Sequence, residues 1–231
     1  STIDVFIQDI AHHALLKQLE EYEAEHGCVV VMETKTGRIK AISNLGRATD
    51  GTYYETQNYA ITEAHDPGST FKLVDLMAVL EDKVADTSTV FDANGGLIRI
   101  YGKSVEDSHH GLGKVSLAHG FEVSSNTVMV QSVFNNYRNN PSKFIKHIED
   151  WGLDKKIGLE LKGEATPKIP KPGEPGWSAI SLPWMAFGYG INVTPMQTLT
   201  YYNSVANNGV MVKPQLVSEI KKWNTTIKKI E

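Results

Sequence analysis

The stretch DPGSTFKLVDLM, residues 66–77, sets a serine behind a Pro-Gly pair and a lysine three positions later, where an apolar run begins. A buried helix has no packing use for either side chain at its start. On a helix, positions i and i+3 share a face, so Ser69 and Lys72 are expected side by side. The residues beyond, Phe71, Leu73, Val74, Leu76, Met77, Val79 and Leu80, are apolar nearly all round, the pattern of a central buried helix. A free lysine has a pKa of about 10.4, which leaves under roughly one part in a thousand neutral at pH 7. Full burial lowers it by about 3–5 units. The positive end of the helix pushes the same way and favours negative charge developing at the serine. The pair suits a serine nucleophile with a lysine base; a serine that merely caps the helix is the structural alternative.

A second copy of the pattern, Ser218 and Lys221, follows Pro214 in a strand-like run. There an odd offset sends the two side chains to opposite faces, and it reads as surface. A second element has no such rival. EVSSNTVM, residues 122–129, carries Ser124-Ser125-Asn126 between two helical stretches, the one Ser-x-Asn of the sequence. A second hydroxyl relays a proton to a leaving nitrogen, and an amide pairs with a donor and an acceptor of a peptide backbone. A capping turn between helices is the alternative.

Outward from these motifs, TIDVFI reads as a short strand. Residues 8–25 read as an amphipathic helix whose buried stripe is Ile10, Ala14, Leu15, Leu19 and Tyr22. VVVME and RIKAIS form a hairpin through TKTG, with Gly37 at a left-handed turn position. From about residue 68 to 151 the pattern is helical. It is clearest in KFIKHIEDWG, where Phe144, Ile145, Ile148 and Trp151 share a face and Gly152 is the stop. TPKIPKPGEPGW, residues 166–177, holds four of the nine prolines and reads as a surface loop. Thr194 as N-cap, Pro195 at the first helical position and Gln197 closing a capping box start a helix that runs to Asn208-Gly209. VMVKPQLVSEIKKW, NTT and IKKIE then read as a β-hairpin that stops in mid-pattern. Strands at both ends with helices between predict an α+β fold whose terminal strands share one sheet.

The chain has 231 residues, 41% hydrophobic and 22% charged, room for one domain or two small ones. A net charge of −4 offers no basic footprint for nucleic acid. No apolar run is long enough to span a bilayer, and no secretory h-region opens the chain. The lone Cys28 sits in a β-rich run as a buried strand thiol. The chain begins at Ser1, so an excised piece is expected, with any membrane anchor outside it. His109-His110 read as a polar loop near a cleft mouth, and His12 and His13 as the solvent flank of the first helix. No metal site is expected. Trp177, Trp184 and Tyr189 are expected in the core.

Together, PGSTFK, SSN and FGYGINVTPMQTLTYYNSVANNG, with the opening STIDVFIQDIAHHAL, resemble the transpeptidase domain of class B penicillin-binding proteins. FGYG ahead of VTPMQ is closer to their division-specific branch. The resemblance implies the penicillin-binding-protein/serine β-lactamase-like fold: an antiparallel sheet packed with helices, a helical subdomain at about 68–151 and incomplete C-terminal strands. It implies acylation at Ser69, a lysine base at Lys72, proton relay by Ser124, a substrate contact at Asn126, and half an oxyanion hole from the backbone N–H of Ser69. The implied partners are peptidoglycan stem peptides, β-lactams and division proteins. The implied location is the periplasmic face of the inner membrane; no cofactor is implied. The family's third motif, Lys-Thr/Ser-Gly, is expected beyond the chain's last residue, because Lys35-Thr36-Gly37 lies upstream, in a hairpin turn. A weakly active or inactive, self-associating fragment is therefore expected. Carboxypeptidase or β-lactamase action, with Glu164 as an unsupported deacylating base, a covalent β-lactam sensor, and a division-protein-binding module are the alternatives.

Overall fold

A computed structural model of the chain describes residues 1–223 and 225–230, which form two compact units. The first comprises residues 1–64, 156–166 and 194–231, and the second comprises 65–155 and 167–193. The sequence opens with a helix, α1 (Val5–Tyr22), where a strand was expected. Asp4 is the reason: its carboxylate accepts from the N–H groups of Phe6 and Ile7 at 3.0 and 3.2 Å and so satisfies the first orphan donors. The buried stripe also differs from the expected one. Ala11 and Leu19 are buried, whereas Ile10 and Tyr22 are 70% and 71% exposed. Polar anchoring sets this rotation. Gln8 pairs with both backbone groups of Ile42 at 2.8 and 3.0 Å, and His12 meets Ser43 Oγ at 3.0 Å. His12 thus faces the sheet, and only His13 takes the solvent flank.

The sheet under α1 consists of β1 (His26–Met32), β2 (Ile39–Arg47) and the short β3 (Tyr53–Tyr54), all antiparallel, followed by α2 (Tyr59–Thr62). The β1–β2 hairpin is the expected one. Gly37, at φ 71°, turns it, and an added Cβ there would stand 3.1 Å from the carbonyl carbon of Lys213 and closer still to the oxygen. The core of this unit gathers Ile39, Ala60, Ile61 and Met196 with the half-buried Cys28, Val30 and Leu199. Burial pushes the Cys28 thiol pKa up, with the Glu63 carboxylate adding to it, so this is a packed strand thiol.

The second unit begins with a single 3₁₀ turn, Gly68–Phe71, that continues into α3 (Lys72–Glu81). Four short strands follow that the helical reading did not contain: β4 (Val90–Asp92), β5 (Leu97–Ile100), β6 (Lys103–Glu106) and β7 (Lys114–Ser116). β4 pairs with β7 and β5 with β6. Then come α4 (Leu117–Glu122), α5 (Asn126–Tyr137), α6 (Pro141–Asp150) and, after the proline-rich loop, α7 (Ser181–Met185). Val74, Ala78 and Val79 of α3 share a core with Val128, Met129 and Val133 of α5 and with Phe144, Ile145 and Ile148 of α6, all at most 3% exposed. Asp82 pins the three helices at one end. It accepts from Tyr137 Oη at 2.6 Å, meets His147 Nε2 at 3.0 Å and pairs with Lys143 Nζ at 2.9 Å.

Back in the first unit, α8 (Pro195–Ala206) carries the expected capping box of Thr194 and Gln197. The last strands, β8 (Glu219–Lys222) and β9 (Thr225–Lys229), form their own two-stranded sheet. The expectation that terminal strands share the sheet of β1 and β2 is corrected: residues 210–218 stay irregular, and a lone parallel bridge, Arg38 to Gln215, links them to that hairpin. Pro214, which lacks an N–H to donate, lies inside that stretch. Asn224, in the expected NTT turn, and Glu231 lie outside the described residues. Among the described residues no helix is long and apolar enough to cross a membrane.

Candidate active site

Every residue singled out from the two motifs falls in the second unit. Ser69 occupies the 3₁₀ turn ahead of α3, exposed to solvent. Its hydroxyl makes no hydrogen bond among the described residues. Lys72, the first residue of α3, is 1% exposed. Its Nζ donates to the carbonyl oxygen of Ser124 at 2.6 Å, to Ser124 Oγ at 3.0 Å and to Asn126 Oδ1 at 2.6 Å. Three acceptors match the three donors of an ammonium. The structure therefore joins Lys72 to Ser124 and Asn126; Ser69, expected beside Lys72, makes no side-chain hydrogen bond with it among the described residues.

The Ser124–Asn126 turn is strained and is held by its partners. Ser124 has φ 56°, left-handed backbone that a non-glycine residue adopts at a cost of roughly 1 kcal/mol or more. Ser125, the N-cap of α5, accepts from the N–H of Val128 at 3.1 Å and donates to Asp107 Oδ2 at 2.8 Å. Asp107 also accepts from the Thr127 N–H at 2.8 Å and from the Thr127 hydroxyl at 3.0 Å. Asn126 Nδ2 donates to the carbonyl oxygen of Glu106 at 2.7 Å, which orients the amide so that its oxygen meets Lys72.

Burial pushes the Lys72 pKa down to about 8, against the opposing charges of Asp107 and Asp75. Asp75, one turn further along α3, is fully buried, and both its carboxylate oxygens lack a hydrogen-bond partner. Burial raises its pKa well above the carboxylate range, with Lys72 working the other way. The sequence reading missed this residue; the one signal for it is that it is the lone acid inside KLVDLMAVL.

The FGYG stretch supports the serine-bearing turn. Gly68 N–H donates to the Gly188 carbonyl at 3.0 Å, and Gly190 N–H donates to Asp66 Oδ1 at 3.0 Å. Gly188 has φ 82°, and a Cβ there would stand 2.5 Å from the Gly68 carbonyl carbon and 2.7 Å from its Cα. Only glycine permits that approach. Trp184, Phe187 and Tyr189 form a chain of ring contacts at 5.7 and 5.1 Å. The three aromatics expected in the core are not buried: Trp177 and Trp184 are half-buried and Tyr189 is 47% exposed.

The remaining candidates separate from this cluster. Lys35-Thr36-Gly37 occupies a hairpin turn of the first unit, where Thr36 bonds Glu33. Lys221 pairs with Glu219 on β8. Glu164 accepts from the backbone N–H groups of Ile157, Gly158 and Leu159, so its carboxylate closes its own loop. His109 and His110 are exposed beside a cavity of about 300 Å³ lined also by Asp107, Leu112, Val123 and Ser125. Among the described residues no group of three or more metal-ligating side chains converges.

Residues 27–231 match the penicillin binding protein transpeptidase domain family. Penicillin-binding protein PbpB of Mycolicibacterium smegmatis is 27% identical over 94% of this chain and 34% of its own length. The probable peptidoglycan D,D-transpeptidase FtsI of Caulobacter vibrioides is 26% identical over 91% of this chain and 35% of its own. The chain thus spans about a third of the length of the relatives it matches. Among solved structures, penicillin binding protein 3 of Mycobacterium tuberculosis complexed with aztreonam superposes with a TM-score of 0.84 at 23% identity, covering 99% of this chain and 51% of that one. The transpeptidase domain of Burkholderia pseudomallei penicillin-binding protein 3 gives 0.80 at 21% identity over 92% and 60%. The fold is therefore that of these transpeptidase domains.

Proposed function

The chain belongs to the penicillin-binding protein transpeptidase domain family, and we propose from that premise that it is the acyl-transferring part of a peptidoglycan D,D-transpeptidase with Ser69 as nucleophile. The observation that carries the reading is the sealing of Lys72 onto Ser124 and Asn126. A lysine with a pKa of about 8 has roughly a tenth of its population neutral at pH 7, about 200–300 times more than a free one. That supply of free amine makes it a competent base.

In this mechanism Lys72 takes the Ser69 proton as Oγ attacks the penultimate carbonyl of a donor stem peptide. The backbone N–H of Ser69, in the turn that leads into α3, stabilises the oxyanion. Ser124, hydrogen-bonded to the Lys72 ammonium, passes a proton to the departing D-alanine amine as the C–N bond breaks. Asn126 presents its amide to the peptide backbone. An amine of a neighbouring stem peptide then attacks the acyl-Ser69 ester, returns its proton through the same relay, and forms the cross-link. A β-lactam follows the first half and stays attached.

The D,D-transpeptidase name of the Caulobacter relative supports the reaction, and the FGYG–VTPMQ resemblance supports action during division, on the periplasmic face of an inner membrane, with division proteins as partners. Hydrolysis of the acyl-enzyme is the lesser reading, since the Glu164 carboxylate is already engaged by three backbone donors. The test is intact-mass spectrometry after incubation with benzylpenicillin, on wild type and Ser69→Ala. A single long-lived adduct, absent from the variant, is expected. An adduct unchanged in Ser69→Ala refutes the mechanism, and one lost within minutes points to hydrolysis.

A further inference from the structure

We propose that Asp107 is a positioning residue, a clasp that holds the Ser124-Ser125-Asn126 turn in its left-handed form and so registers Ser124 Oγ and Asn126 Oδ1 on Lys72 Nζ. The acylation part of this inference rests on the function proposed above; the clasp itself does not. Asp107 is 6% exposed, yet its carboxylate is fully employed on one short segment. Oδ2 accepts from Ser125 Oγ and Thr127 Oγ1, and Oδ1 from the Thr127 N–H. The preceding residue holds the same segment from the other side, where the Glu106 carbonyl accepts from Asn126 Nδ2. Two consecutive residues at the end of β6 thus bind three consecutive residues of the turn. Among the described residues neither Ser125 nor Thr127 hydrogen-bonds Lys72 Nζ; both act through the residues between and beside them.

Such a clasp answers a physical need. A serine at φ 56° relaxes to an ordinary conformation unless its neighbours are fixed. Relaxation would carry Ser124 O and Oγ away from Lys72 together, because both belong to the strained residue. Asp107 has a second effect. The charged groups acting on Lys72 are Asp107 and, on its own helix, Asp75, and each favours the ammonium. Ionised, Asp107 keeps a proton on Lys72; removing its charge releases that proton at lower pH. A residue with a purely packing role would change stability and leave that titration where it was.

The experiment compares wild type with Asp107→Asn by NMR titration of [ε-13C]lysine-labelled protein, with benzylpenicillin acylation followed by mass on the same samples. The expected result is a Lys72 midpoint moved to lower pH in Asp107→Asn, with acylation slowed roughly 10–100-fold by misplacement of the turn. An unchanged Lys72 midpoint together with an unchanged acylation rate overturns the proposal. Should wild type show no adduct, displaced amide shifts of Ser124 and Asn126 in Asp107→Asn still support the clasp, and only the transpeptidase reading falls; unmoved amide shifts overturn it. Should Asp107→Asn fail to fold, Ser125→Ala removes one bond of the clasp while keeping Ser124 and Asn126. Its acylation, or in an unacylated protein the amide shifts of Ser124 and Asn126, changes if the clasp is real and stays at wild-type values if it is not.

Discussion

Gly188→Ala isolates how the serine-bearing turn is held. An alanine Cβ would stand 2.5 Å from the Gly68 carbonyl carbon, where real Cβ contacts essentially never fall below 3.0 Å. The two backbone segments must part by at least half an ångström, and by more at the nearer oxygen. That breaks or stretches the 3.0 Å bond between Gly68 N–H and the Gly188 carbonyl. Overpacking of this kind costs about 1–3 kcal/mol, and alanine at φ 82° adds about 1–2 kcal/mol. The sum is roughly 2–5 kcal/mol, a large part of an ordinary stability of about 5–15 kcal/mol. Because Gly68 precedes the nucleophile, a shift approaching 1 Å also costs acylation up to about 100-fold. Gly190→Ala is the internal control: its φ is 74°, but nothing lies within 4 Å of the added Cβ. It should lower the melting temperature by only ~2–8 °C, at about 2–4 °C per kcal/mol for a chain of this size. Thermal unfolding by circular dichroism and the second-order rate of benzylpenicillin acylation measure both effects. Equal behaviour of the two alanine variants would refute the close-approach argument and leave only backbone strain.

Lys72→Met keeps an unbranched chain of similar length and removes the base, so acylation should fall by about 10²–10⁴, with a lower melting temperature because Ser124 and Asn126 lose the donor to their three acceptors; a near-normal rate would exclude lysine as base. Acylation of wild type should rise with pH and level off above about 8, since only the neutral amine accepts the serine proton and burial has lowered its pKa from 10.5. A stopped-flow profile flat between pH 6 and 9 would contradict this. Asp82 works in the opposite direction on stability. Hydrogen bonds from Tyr137, His147 and Lys143 outweigh burial and hold its pKa at about 2, below the ordinary 3.8. Its contribution is complete above about pH 4 and is lost as pH falls toward 2. Asp82→Asn should remove that acid-sensitive part of a pH-melting curve, and an unchanged curve would assign the acid loss elsewhere.

What could be read before folding was local, and what could not was rotational or remote. The Thr194–Gln197 capping box, the α6 face and the Gly37 turn each depend on residues within a few positions of one another. The start of α1 was also local, because Asp4 is an N-cap residue, but the β-branched run around it reads as strand. The phase of α1 could not be read, since it follows from Gln8 meeting Ile42, a contact that exists only once the sheet does. Asp107 and Gly188 belong to the same class: their partners Ser125, Thr127 and Gly68 come from other parts of the chain.

The chain enters the second unit at His65 and finally leaves it at Val193, and these two residues bond each other through both backbone groups, at 3.2 and 3.1 Å. Lys168 and Asn192 do the same beside them, at 2.8 Å each. An insert whose ends are tied together imposes almost no loop-closure entropy on the polypeptide that receives it. Such joints are where insertions and permutations are tolerated. The machinery around Ser69 is therefore packaged as a two-part graft: a lineage, or a protein engineer, can exchange residues 65–155 and 167–193 while keeping residues 156–166, which belong to the first unit.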